Sequence, residues 1–328
     1  MAEMRIVDAI NAAMARAMAD DERVIVLGED VGIDGGVFRV TDGLIRKFGA
    51  DRVLDTPIAE TGIAGVAVGL AAQGMRPIAE IQFLGFLYAT IDQLVNHAGR
   101  LRTRTRGRLT CPLVLRAPYG GGIHALEHHS ESTEAMLAHI PGVRVVIPSS
   151  PARAYGLLLA AIRDPDPVVY LEPKRIYRAG HEEVADDGAA LPLDTCFVLR
   201  EGRNVTLVTW GAMVVETMMA AGLLASQGID AEVIDVATLK PIDMATIVAS
   251  VRKTGRVVVV HEAALSGGLG GEIAARLAEE DGVLRGPVRR VTGYDTVVPL
   301  AKLERHYMPS ISRIMTAVRE TMPSEIPA

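Results

Sequence analysis

The stretch "DTPIAETGIAGVAVGLAAQGMRPIAEIQFLGF", Asp55 to Phe86, sets two patterns side by side. Thr61 to Gln73 reads as a helix in which Gly62, Gly65 and Gly69, and likewise Ala64, Ala67 and Ala71, recur at spacings of three and four. Those spacings gather small residues on helix faces that another backbone must approach closely. Pro77 to Phe83 follows as a largely apolar strand. A helix feeding an apolar strand is the repeating unit of a parallel sheet covered on both faces.

The pattern extends in both directions. Strands are predicted at Val24–Gly28, Leu113–Ala117, Val143–Pro148 and Val168–Glu172, with helices at Phe86–Arg102 and Ala152–Arg163. Met1 to Asp20 reads as an amphipathic helix with Ile6, Ile10, Met14 and Ala17 along one face. The acidic, proline-bearing segment "HEEVADDGAALPLDT" (His181–Thr195) has the composition of an interdomain connection. A second alternation follows, with strands at Val205–Thr209, Ala231–Val236, Arg256–His261 and Val288–Val291. Helices at Met213–Gln227, Met244–Lys253 and Gly271–Glu280 separate them. The expectation is an α/β protein with a first domain over 1–178, a linker over 179–195 and a smaller α/β domain over 196–328.

Of the 328 residues, 49% are hydrophobic and 23% charged, enough to build a large core. The net charge is −6 and the 34 basic residues are scattered, which disfavours broad binding to nucleic acid or anionic membranes. Cys111 and Cys196 have no metal-like spacing and fit reduced, buried thiols. No signal peptide is read at the start, and the apolar stretch after Glu60 is too short and glycine-rich to cross a bilayer. A cytoplasmic protein is expected.

Several stretches could carry chemistry. "GGLGGE" (Gly267–Glu272) lacks the spacing of a dinucleotide or phosphate loop and reads best as a turn into a helix. "YGGGIH" (Tyr119–His124) follows a strand end, where ligands of parallel sheets gather. "IHALEHHSESTE" continues it with His124, His128 and His129, either surface residues or an acid–base group near neutral pH. Zinc fits poorly, for want of a matching ligand spacing. Phe83 and Phe86, in a chain only 4% aromatic, are core residues or a stacking platform. "RLRTRTRGR" (Arg100–Arg108) serves a local carboxylate, phosphate or subunit contact, or is a solvated helix end. Glu60 either complements its helix dipole or is a carboxylate directed at a ligand.

Taken together, "LGEDVG" and "GGVFRVTDGL" within Leu27–Leu44, "DTPIAETGIAGVAVG", "EIQFLGF", "HHSESTE", "PGVRVVIPSSP" and "DPDPVVYLEPKRIYR" resemble the beta subunit of thiamine-diphosphate-dependent 2-oxoacid dehydrogenases. That subunit belongs to the decarboxylating first component of the pyruvate and branched-chain complexes. "TGRVVVVHEA" and "VTGYDTVVPLAKLERHYMP" extend the likeness over nearly the whole chain. The resemblance implies a transketolase-like pyrimidine-binding domain followed by a transketolase carboxyl-terminal domain.

It implies that Glu60 meets the far ring nitrogen of the cofactor's aminopyrimidine, favouring the imino tautomer that takes the thiazolium proton. Phe86 would pack on the pyrimidine, and Glu29 would lie near the cofactor. His129 matches the active-site histidine that handles the intermediate and the reductive acylation of lipoyl. No role is carried onto His128. A potassium site in the family uses positions matching Cys111, Leu113, Val114, Ala161, Asp164 and Asp166, although Val114 replaces a side chain that is threonine in some members.

The Gly-Asp-Gly motif that holds diphosphate and magnesium in such enzymes is missing from this sequence. The resemblance therefore implies a separate alpha subunit carrying Mg2+, a two-alpha, two-beta heterotetramer, and docking to a dihydrolipoamide acyltransferase. "EPKRIYR", "EIQF" and "HHSES" look slightly more like branched-chain members, acting on 3-methyl-2-oxobutanoate, than pyruvate members. The rivals are an acetoin dehydrogenase beta subunit and a non-catalytic scaffold subunit of the same fold. A one-chain transketolase-like synthase is disfavoured by the missing motif.

Overall fold

The computed structural model describes residues 1–322, and residues 323–328 of the expected 196–328 domain lie outside the described residues. The chain forms two compact units. One comprises Met1–Tyr119 and Met136–Leu193, and the other Gly120–Ala135 together with the chain from Asp194 onward.

In the first unit six strands run parallel. Their order is Val53–Asp55, Val24–Gly28, Arg76–Glu80, Val114–Tyr119, Val168–Pro173 and Arg144–Val146. Ile25, Val26, Ile78, Leu115, Val169 and Tyr170 are buried, as a sheet covered on both faces requires. Helices Ile6–Asp20 and Pro151–Arg163 pack on one another. The expected inward face Ile6, Ile10, Met14 and Ala17 is buried throughout. Pro151 starts its helix at a position where a missing N–H costs nothing, and the Ser150 hydroxyl accepts from Arg153 N.

Two local expectations are corrected. Met1–Asp20 is not one helix: Ala2–Met4 is a strand, antiparallel to Glu182–Val184. The acidic 179–195 segment is thereby tied down, and the Tyr155 hydroxyl adds a 2.6 Å bond to Asp186. Three-residue strands are too short to leave a periodic signal. Phe86–Arg102 is also not one regular helix. It breaks into the Leu84–Leu87 helix, tight turns at Tyr88–Thr90 and Ala98–Arg100, a wide π turn at Gln93–His97, and the Leu101–Arg104 helix. At Gly99 a side chain would meet the Pro141 carbonyl oxygen at 2.7 Å, so the backbone is drawn closer there than a regular helix permits.

The second unit holds a sheet ordered Arg289–Val291, Val257–Val260, Val205–Thr209, Ala231–Asp235 and Phe197–Arg200. It is parallel except for the Phe197–Arg200 edge. Leu207, Val233, Val258, Ala220, Leu224 and Ile314 form its core. Helices Ala301–Tyr307 and Ile311–Arg319 complete it and were not anticipated.

Beneath the carboxyl ends of the first sheet lies a buried ionic cluster. Arg116 donates Nε and Nη2 to Glu172 at 2.6 and 2.9 Å and Nη1 to Glu80 at 2.7 Å. The Tyr177 hydroxyl donates to Glu172 at 2.5 Å. All three charged side chains are buried. Burial pushes the Glu80 carboxyl up while Arg116 draws it back. Removing this cation would strand two carboxylates in the core. Arg116→Met should therefore lose about 3–5 kcal/mol of stability, read as a lower urea midpoint; a midpoint matching the parent would contradict this role.

Candidate functional site

The loops leaving adjacent parallel strands at their carboxyl ends carry the candidate residues of the first unit. Glu29 follows Val24–Gly28, Glu60 opens the Glu60–Ala72 helix after Val53–Asp55, and Phe83 and Phe86 follow Arg76–Glu80. This edge is where ligands of open parallel sheets bind.

Glu29 is buried, and its Oε1 has no hydrogen-bond partner. Burial pushes its carboxyl above the ordinary range, and the negative charges of Glu60 and Asp30 add to the effect. An Ala59 backbone N–H draws it partly back. The charge of Glu60 thus acts directly on Glu29. Glu60 itself is half-buried, at the first turn of its helix, where a carboxylate also complements the dipole. Phe83 and Phe86 meet edge-on at 5.8 Å, and Phe38 meets Phe83 edge-on at 5.4 Å. Lys174 Nζ lies 5.9 Å from the Phe83 ring centre. A carboxylate pair and aromatic rings carried by neighbouring strand ends suit a flat, nitrogen-bearing ring with N–H groups to donate. The orphaned Glu29 oxygen fits such a ligand.

The Glu60–Ala72 helix buries Ile63, Ala64, Ala67 and Ala71. Its glycine face stays open, with Gly62 and Gly69 exposed and Val66 56% exposed. The Met213–Ala225 helix likewise exposes Val215, Met218, Met219 and Leu223.

The positions Cys111, Leu113, Val114, Ala161, Asp164 and Asp166 lie where the Pro151–Arg163 helix ends beside the start of the Val114–Tyr119 strand. Cys111 N donates to the Pro165 carbonyl and Asp166 N to Asp164 Oδ1. Arg102 pairs with Asp166 at 2.7 Å and Arg144 with Asp164 at 3.5 Å, so both carboxylates already face a cation. Arg102 thereby takes up part of the basic Arg100–Arg108 run. Cys111 and Cys196 are buried free thiols, with burial pushing Cys111 up to about 12.

The histidine segment belongs to the second unit. His129 N and Ser130 N donate to the Leu126 and Glu127 carbonyls, and the His128 and His129 rings lie 4.2 Å apart. His124 is largely exposed, with its Nδ1 3.1 Å from Glu304. Behind the segment stands a group that periodicity never indicated. Glu134 accepts from Trp210 Nε1 at 3.1 Å, and Trp210 stacks on His261 at 5.0 Å with ring planes 13° apart. The glycine stretch 267–272 makes room for that ring: a Cβ at Gly268 or Gly270 would come within 2.8 Å of His261. Burial drives the His261 pKa down to about 4, leaving it neutral at pH 7. Trp210, the chain's single tryptophan, was the one available sequence signal.

Among the described residues, no helix is long and apolar enough to cross a membrane, and no three His, Cys, Asp or Glu side chains gather as a metal site.

Residues 2–180 match the family model described as transketolase, pyrimidine binding domain, and residues 194–314 the transketolase C-terminal domain. The chain is 50% identical over 321 residues to the pyruvate dehydrogenase E1 component subunit beta of Acholeplasma laidlawii, covering 98% of each. It is 46% identical over 323 residues to the protein of the same name from Staphylococcus aureus, covering 98% of this chain and 99% of that one. Among solved structures it is similar to a split gene transketolase described as an inactive beta4 tetramer. The TM-score is 0.80 and the identity 26%, over 98% of both chains.

Burial pushes the Glu134 carboxyl from 4.5 up to about 7, with the charge of Glu262 adding to it. The folded state therefore keeps this proton longer than the unfolded chain does. Stability falls as pH climbs from about 4.5 to about 7, and the loss is complete above that, at roughly 3 kcal/mol. Glu134→Gln keeps an acceptor for Trp210 and removes the titration. The variant should exceed the parent in urea resistance at pH 8 and lose most of that advantage at pH 5; a constant difference would contradict the shift.

Proposed function

Because this chain belongs to the family of beta subunits of the 2-oxoacid dehydrogenase decarboxylating component (E1), within the transketolase-like superfamily, we propose that it forms the pyrimidine-binding half of a thiamine diphosphate site. The observation that carries this reading is the Glu29–Glu60 carboxylate pair on the same sheet edge as Phe83 and Phe86, with one buried Glu29 oxygen unpartnered.

Glu60 would hold a proton at a ring nitrogen of the aminopyrimidine, and Phe86 would cover the ring face. Glu29, with its raised pKa, would accept a ring N–H. When bound, the cofactor supplies a carbon nucleophile for the keto group and a sink for the electron pair left as carbon dioxide departs. His129 would exchange protons during acyl transfer to lipoyl.

The absent Gly-Asp-Gly motif supports a separate alpha subunit that holds diphosphate and Mg2+, in a two-alpha, two-beta assembly. The exposed apolar faces of the Glu60–Ala72 and Met213–Ala225 helices support burial against other subunits. A dihydrolipoamide acyltransferase would be the further partner. Bound potassium stays a proposal on the 111–166 positions, and a cytoplasmic setting fits the two unpaired thiols.

For the substrate we propose pyruvate, replacing the branched-chain leaning of the motifs, since the relatives at 46–50% identity carry the pyruvate name. Joined to an alpha subunit, the chain should decarboxylate pyruvate faster than 3-methyl-2-oxobutanoate. The reverse order would refute the choice.

Glu60→Gln should leave assembly intact and reduce decarboxylation roughly 100-fold or more, as loss of a positioned acid–base group does. Near-parental turnover would remove Glu60 from the role.

A further inference from the structure

The sequence "YGGGIH" enters the histidine segment through a backbone that two buried carboxylates grip. Glu262 follows the Val257–Val260 strand, and Glu304 lies on the Ala301–Tyr307 helix. Both are buried. Glu262 Oε2 accepts from Gly121 N at 3.0 Å. Glu304 Oε1 accepts from Gly122 N at 2.7 Å and its Oε2 from His124 N at 3.0 Å, with His124 Nδ1 3.1 Å from the same Oε2.

The glycines answer to these carboxylates. A Cβ at Gly120 would lie 2.7 Å from Glu262 Oε2, and one at Gly121 would lie 3.4 Å from Glu304 Oε1. Gly120, Gly122 and His124 take positive φ values of 87°, 84° and 61°, a folded path that turns successive N–H groups inward. At the far end of the segment, Glu134 is bonded to Trp210. His129 lies between the two anchors. Within the segment, His129 N donates to the Leu126 carbonyl.

We propose that Glu304, seconded by Glu262, is a positioning residue for His129: the two carboxylates fix the backbone path of Gly121–His124 and so the place of the histidine in acyl transfer. This rests on the reading of His129 given above. Backbone N–H bonds to carboxylates are charge-assisted and strong, and both oxygens of Glu304 are used. Its geometry is therefore demanding. An amide in its place keeps the volume but turns an NH2 toward an N–H, so one of the grips becomes a repulsion.

The test uses the full beta chain assembled with an alpha subunit. Glu304→Gln should lower reductive acylation of lipoyl roughly 10- to 100-fold, the range expected when a reacting group is displaced. Decarboxylation measured with an artificial electron acceptor should stay within about 3-fold. Hydrogen exchange over residues 121–129 should quicken, and Glu304→Asp should recover part of the acylation. Equal loss of both rates, or unchanged acylation, would overturn the proposal. Should Glu304→Gln assemble poorly, Glu262→Gln disturbs the Gly121 N–H bond and carries the same comparison. His129→Ala separates the two claims. If it acylates lipoyl normally, the reading of His129 falls and this inference with it. If it is impaired while the Glu304 and Glu262 variants are not, this inference falls alone.

Discussion

The first unit is organised around one guanidinium. Arg116 reaches from the Val114–Tyr119 strand to Glu80 on one neighbour and Glu172 on the other, with all three side chains buried. A planar fork bonded on two sides holds three strand ends at set spacing. The loop bearing Phe83 and Phe86 begins one residue after Glu80, and Lys174, near Phe83, follows Glu172 by two. At Gly36, in the loop that follows Glu29, a side chain would stand 3.1 Å from Glu80 Oε1 and in the left-handed region. The polar cluster under the sheet edge and the candidate site above it are thus one continuous piece of packing.

The chain handles its buried carboxylates in different ways, and the partner decides which. Glu172 faces a full cation and a tyrosine hydroxyl. Glu262 and Glu304 receive backbone N–H groups. Glu134 receives its own backbone N–H and a neutral indole donor but no cation, so desolvation prevails and the group holds its proton near neutrality. Glu29 stands between these cases, buried beside like charge with one oxygen unused. Unused hydrogen-bonding capacity in a buried group is costly, and a ligand that supplies the missing donor recovers it.

In the function proposed above, helix Glu60–Ala72 would join catalysis to assembly. Its carboxylate stands at the end nearest the sheet edge, while its glycine face is left bare. A helix that is apolar on every side is built to be covered on every side. The same reasoning covers Met213–Ala225, where methionine, valine and leucine stay exposed along one face. Polar residues on those faces would have served an independent monomer better.

What could be read from the sequence was whatever repeats locally. Largely apolar runs such as Val24–Gly28 and Val205–Thr209 marked strands to the residue, because burial on both faces leaves no charged position. Glu60, Phe86 and His129 were found through a chain of motifs, not through periodicity. The three-residue strands Ala2–Met4 and Val53–Asp55, and the broken helix after Phe86, left no such trace. By itself the sequence determined the α/β class, the missing diphosphate motif and the candidate residues. Only the tertiary structure decided that Arg116 joins Glu80 to Glu172, that Trp210 faces Glu134, and that Glu304 grips the histidine segment. Those partners are separated by 36 to 182 positions, and hydrogen-bond pairing across such distances is set by how elements pack, which no local spacing encodes.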